Sequence, residues 1–208
     1  MKNLTQMLGL IFFCSFCHAN MAQELVGQLI DGVYTAPEGV FTTRLPPLEG
    51  EMRDFPNAVS TYNSNTGAQN SLEYYAIPEE ELKKYRQVGA EKYHHDFVRE
   101  SFVNKRYQQT FQQVMITSES LVNIDNKEMY MTALNMNASS QAEEGKFEGQ
   151  YLRILLATTV EDDRMVAYQI ARTAPDLEGF ETFLEYATKI IIIWSRNTQF
   201  QAASDTTP

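Results

Sequence analysis

Two adjacent histidines, His94 and His95, with Asp96 after them and Glu91 before, form the densest group of chemically capable side chains in this sequence. On an α-helix, neighbouring residues diverge by about 100°, so His94 and His95 cannot readily serve one metal ion. Glu91 and His95 stand four residues apart on one helical face. That spacing suits two metal ligands, but a third must come from elsewhere. His95 falls nearly opposite the apolar stripe of its helix and is expected to face solvent. The sequence therefore assigns no metal site and no cofactor. Glu91 and His95 are the one pair whose spacing permits metal binding, set against the plainer reading of an exposed polar face with a Glu–His contact.

Other chemistries lack their signatures. There is no Gly-x-Ser-x-Gly elbow for a hydrolase, no phosphate-cradling Gly-x-x-x-x-Gly-Lys run and no Gly-x-Gly-x-x-Gly fingerprint. The acidic runs Glu79–Glu81 and Glu161–Asp163 read as a helix start and a hairpin turn, not as paired catalytic carboxylates. Met115, Met129, Met131 and Met136 lie in expected strands, where soft sulfur can bind copper(I) or adapt to a partner but more commonly fills core. Tyr74, Tyr75, Tyr85 and Tyr93 read as aromatics at a sheet–helix junction. No catalytic residue is assigned.

Whatever chemistry exists is expected outside the cytoplasm. Lys2 supplies a short positive start and Met7 to Cys17 (MLGLIFFCSFC) is an uncharged apolar run, about half the roughly 20 residues that span a bilayer. Ala19 then offers a cleavage position, with Ala22 as a second, the layout of a secretory signal peptide over residues 1–19. Phe13 and Phe16 precede Cys14 and Cys17, which argues against lipid anchoring. Both cysteines fall in this leader, so the mature chain has no disulfide, thiolate nucleophile or cysteine-based zinc site. The formal net charge is −10. Lys2 is the only charged side chain before Asn20, so cleavage leaves about −11. An acidic body repels phosphate backbones and anionic lipids, which disfavours nucleic acid and membrane surfaces as partners.

The remainder of the 208 residues, 43% apolar in composition, is enough for one domain with its own core. Residues 20–32 read as a lead segment, with Leu25, Val26, Leu29 and Ile30 at helical spacing. A single α+β domain is expected over 33–198, and a disordered polar tail over 199–208. Within the domain, Val33 to Leu45 reads as two short strands and Leu48 to Asn57 as a polar connection. Ala58–Tyr62 and Ser71–Ile77 read as a hairpin around Asn63–Gln69. Pro78 to Phe102 reads as one long helix, with Leu82, Tyr85, Gly89, Tyr93 and Phe97 on its stripe. Gly89 there implies a close approach to a sheet. Arg106–Ile116, Glu128–Met136, Gln150–Val160 and Met165–Arg172 read as four more strands, the last two joined by the tight turn Glu161–Arg164. Leu155 and Ala157 are apolar on the opposite parity to Ile154 and Leu156, so both faces of the sheet are expected to be covered. Ala138 to Glu148 reads as a surface loop. Asp176 is the expected cap of a second long helix, striped by Phe180, Phe183, Leu184, Ala187, Ile190, Ile191 and Trp194. The order gives a mainly antiparallel sheet flanked by two long helices.

Tyr34-x-x-Pro37-x-Gly39-x-Phe41, followed by Leu45-Pro46, resembles the opening of PsbP-like and DcrB-like domains. Phe183 to Ser195 resembles their closing helix. The likeness covers roughly Val33 to Phe200, and the chain lacks the tryptophan that often follows the early glycine. The resemblance implies an α/β/α sandwich and non-enzymatic work, usually docking to a protein complex, and it carries over no catalytic residue. The functional expectation is an exported, soluble accessory or binding protein, periplasmic or secreted, with an envelope or secreted protein as partner and no stable membrane insertion after cleavage. A periplasmic small-ligand or metal carrier and a hydrolase of unknown type are the alternatives.

Overall fold

The alternation read in the C-terminal half builds the centre of the molecule. In the computed structural model, which describes residues 26–137 and 150–201, β9 (Tyr151–Glu161) and β10 (Arg164–Ala174) pair antiparallel, with Arg164 opposite Glu161. β8 (Lys127–Asn137) and β7 (Gln112–Ile124) extend the sheet on the β9 side. β6 (Ala68–Ala76), β5 (Ala58–Asn63) and β4 (Glu51–Phe55) extend it on the β10 side. The result is a seven-stranded antiparallel sheet. The leader at 1–19 and the segment 138–148 lie outside the described residues, as do the tail positions from 202 onward.

Strand alternation sorts the core into two layers. Met129, Met131, Leu155, Ala157, Val166, Tyr168 and Ile170 face one side, against Phe183, Ala187, Ile191 and Trp194 of α4 (Phe180–Arg196). Tyr130, Leu134, Met136, Ile154, Leu156, Ala167 and Ala171 face the other, against Val98, Phe102, Val103 and Tyr107. The sheet is thus covered on both faces, and it is buried along most of its central strands. Trp194 is fixed as well as buried: its Nε1 donates to Thr43 Oγ1 at 2.9 Å, and Thr43 meets Thr198 at 2.7 Å.

The architecture is α+β and mainly antiparallel, but the first helical layer is not one long helix. α1 (Glu79–Val88) ends at Gly89, whose φ of 83° and ψ of 159° lie in a region open essentially to glycine. α2 (Ala90–Phe97) restarts there, and the chain then winds as a π-helix over Val98–Tyr107 and a last turn, α3 (Gln108–Thr110). Gly89 has open space where a side chain would begin. Its role is the backbone break, not the close approach to a sheet inferred from the stripe.

Other elements depart from the sequence pattern. The expected helical turn before Asp31 is β1 (Gln28–Ile30), which pairs with β2 (Val33–Thr35). The backbone N–H groups of Val26 and Gly27 donate to the buried carboxylate of Asp54 at 2.9 and 2.7 Å, and Tyr34 Oη donates to it at 2.6 Å. Gly27 can lie there because a Cβ would meet Thr35 O at 2.4 Å. The expected polar connection contains β4, with Asp54 fully buried in it. The strand expected from Arg106 begins only at Gln112, because the helical layer continues to Thr110. The start of the expected tail is β11 (Gln199–Phe200), paired with β3 (Phe41–Thr43), and Phe200 packs on Phe41 and Tyr74. β1, β2, β3 and β11 form a second, four-stranded sheet. Asp176 does not cap α4. Gly179, with φ of 69°, stands at that position, while Arg153 donates to the carbonyls of Asp176, at 2.6 Å, and Glu178.

Candidate functional site

The helix break decides where the two histidines go. Restarting at Gly89 turns Ala90, Tyr93 and His94 inward on α2, the i, i+3, i+4 spacing of one helical face. His94 is 0% exposed. Its ring stacks on Tyr130 at 6.3 Å and 7° and meets Tyr85 and Tyr93 edge-on. Nδ1 lies 3.0 Å from Thr158 Oγ1, and Nε2 is buried with no hydrogen-bond partner. Burial pulls the His94 pKa down to about 4, so the ring is neutral at pH 7.

His95 and Glu91 point elsewhere. His95 is half exposed, its Nδ1 3.3 Å from Asp96 Oδ1, and Asp96 in turn accepts from Lys92 at 2.8 Å. Both bonds hold the Asp96 carboxyl below its ordinary pKa. Glu91 is exposed. Among the described residues, no three His, Cys, Asp or Glu side chains converge as a metal would require. The cluster divides into a solvated triad of Lys92, His95 and Asp96 and a buried imidazole among tyrosines. Tyr130 is pushed up to about 12 by that burial and by the nearby carboxylate of Glu119.

A second polar group, not singled out in the sequence, lies under the π-helix. Arg106 forks onto Glu73 at 2.9 and 3.0 Å, and Tyr75 Oη donates to the same carboxylate while accepting from Arg106 at 3.0 Å. Arg106 also sits 4.4 Å from the centre of the Phe102 ring. Burial opposes the Arg106 charge, but Glu73 outweighs it and raises the pKa. Every polar contact here joins sheet to helix, so the group ties two layers together and presents no open acceptor to a substrate.

The surface offers a different kind of site. β1 is the edge strand of the small sheet, hydrogen-bonded on one side to β2. Leu29 is 48% exposed and Ile30 64%, with Val26 just before them at 57%. Gln28, Leu29 and Ile30 carry no charge and no proline, the usual guards of a free edge. Neighbouring residues of a strand point to opposite faces, so this edge is apolar on both. The signal was present in the sequence as an uncharged Leu-Val/Leu-Ile repeat, but helical spacing concealed it.

A seven-stranded antiparallel sheet between a helical layer and a closing helix, with a small sheet beside that helix, is the PsbP-like fold. The solution structure of cyanobacterial PsbP (CyanoP) from Synechocystis sp. PCC 6803 matches with a TM-score of 0.50 and 11% identity, covering 89% of this chain and 98% of that one. The Saccharomyces cerevisiae Ran-binding protein Mog1p gives 0.48 at 12% identity, covering 83% and 96% of the two chains. A protein from Bacteroides thetaiotaomicron VPI-5482 gives 0.46 at 11% identity, covering 85% and 51%. No protein-family model and no curated protein matches the sequence. At such identities the likeness establishes fold and leaves function to the site.

Proposed function

We propose that the mature chain is an exported accessory protein of the cell envelope that works by docking a protein partner and carries out no catalysis. The observation that carries this reading is the unguarded edge of β1, where Leu29 and Ile30 stand exposed beside free backbone hydrogen-bonding groups. Such an edge accepts an extended segment as an added strand: the backbone supplies affinity and alternate side chains supply specificity. The absence of charge in Gln28–Ile30 selects an uncharged, apolar strand over a basic or acidic one. Export is supported by the sequence of the leader, ending at Ala19 or Ala22.

The test places a photo-reactive residue at Ile30 and compares it with one on the exposed face of α1, in cells. The docking reading expects one partner protein joined at position 30, absent at the control position, and lost with Leu29→Glu. Labelling that is equal at both positions, or unchanged by Leu29→Glu, overturns it. Intact mass of the cell-derived protein tests export separately: a chain beginning at Asn20 or Gln23 supports it, and one retaining Lys2 refutes it.

A further inference from the structure

Beyond docking, the placement of His94 gives the helical layer a response to acid. A buried neutral histidine is stable only while its ring lacks a second proton, because a buried imidazolium needs acceptors for both N–H groups. At His94 one nitrogen has Thr158 and the other has no partner. The surrounding aromatic faces come from three elements: Tyr85 on α1, Tyr93 on α2 itself and Tyr130 on β8.

The charged groups near this cage do not supply the missing acceptor. On α1, Glu81 acts on Tyr93, and Tyr85 donates to Glu128 of β8 at 3.3 Å. On α2, Glu91 is exposed, and Lys92, His95 and Asp96 engage one another. Glu119 of β7 accepts from Arg99 of the π-helix at 2.7 Å. From β9, Thr158 is the contact.

The layer above the ring is built to move as a piece. Gly89 separates α1 from α2 at a backbone conformation that propagates no helix. The apolar anchors of this pair are few: Leu82 and Tyr93, packed with Ile77 and Met165 as a cluster distinct from the two main core layers.

We propose that α1 and α2 form an acid-released flap, held shut by neutral His94 and opened when that ring takes up a proton. The sign follows from proton uptake. The shut form holds His94 at about 4 against an ordinary 6.5. The open form therefore binds more protons as pH falls through 6.5, and opening levels off below 4. The shift corresponds to an opening equilibrium favoured roughly 100-fold more at pH 4 than at pH 7.5. Opening exposes the tyrosine cage while α4 and the sheet stay packed.

Hydrogen exchange by mass spectrometry on the mature protein, corrected for the intrinsic pH dependence of exchange, tests this. Between pH 7.5 and 4, peptides from Glu79 to Phe97 are expected to lose protection roughly 100-fold more than peptides from β9, β10 and α4. His94→Gln, which keeps a partner for Thr158 and does not titrate, is expected to abolish the difference. Uniform loss of protection, or an unchanged response in His94→Gln, overturns the proposal. Should that variant not fold, imidazole NMR of the unaltered protein decides: a His94 signal that titrates near 6.5 with the flap closed refutes it, and one that titrates together with opening supports it.

Discussion

Replacing Glu73 by glutamine removes one charge and almost no volume, which isolates what the carboxylate does beneath the π-helix. The side chains of Glu73 and Arg106 are 5% and 14% exposed, and their two bonds of 2.9 and 3.0 Å are parallel. Removing one member of such a buried pair leaves the other charge in a poorly solvated place, at a cost of about 3–5 kcal/mol. The glutamine still offers Tyr75 an acceptor, so the loss sits on the guanidinium. With a urea m-value of about 2 kcal/mol per molar, the midpoint falls by roughly 1.5–2.5 M at pH 7, followed by far-UV circular dichroism. Adding Arg106→Met removes the stranded charge and retains its packing against Phe102. The double variant is expected to recover to within about 2 kcal/mol of the parent, a coupling of the size seen for residues sharing a network. A single variant that loses less than about 1 kcal/mol, or a double variant no better than the single, refutes the claim that the pair locks helix to sheet.

Gly89→Ala has opposite consequences under the two views of this residue. Helix propensity predicts a gain of about 1 kcal/mol, whereas the observed φ of 83° predicts a loss of about 1–3 kcal/mol, measured by the same unfolding curve. Asp54→Ala strips acceptors from Val26, Gly27 and Tyr34; amide exchange at Gln28–Ile30 should accelerate at least tenfold, with about 2–4 kcal/mol lost globally. Trp194→Phe keeps the ring against Tyr168 but loses the bond to Thr43, which predicts about 1–3 kcal/mol in thermal or urea unfolding. Elemental analysis of the purified mature protein should find less than one metal ion per ten chains, unchanged by His95→Ala; stoichiometric metal lost in that variant would revive the carrier alternative.

The parts of the fold legible in the sequence are those set by local pattern. Glu161 to Arg164 announces a tight turn whatever surrounds it, and the apolar stripe from Phe183 to Trp194 specifies a buried face without reference to its partner. What escaped depends on contacts distant along the chain. Leu25, Val26, Leu29 and Ile30 satisfy a helical template, but Asp54, twenty-eight residues beyond Val26, captures the N–H groups that a helix would need. Phe200 looks like the start of a tail until Phe41 and Tyr74 receive it. At the candidate site, the stripe correctly places Tyr93 inward and His95 outward, while His94 is moved inward by a phase change at Gly89 that periodicity cannot register. Glu73 and Arg106 are thirty-three residues apart, and neither stands out until the sheet brings them together.

The small sheet has a practical consequence for re-engineering the chain. β1 and β11 occupy its two margins, with β2 and β3 between them. Three inter-strand steps of about 4.8 Å place the beginning and end of the described polypeptide roughly 14 Å apart, a gap that a handful of glycines and serines bridges. A circular permutant joined there, and reopened in the exposed turn at Ser64–Thr66, would leave every sheet pairing intact and carry a reporter or an affinity handle at that turn instead of beside the strand margin offered to a partner.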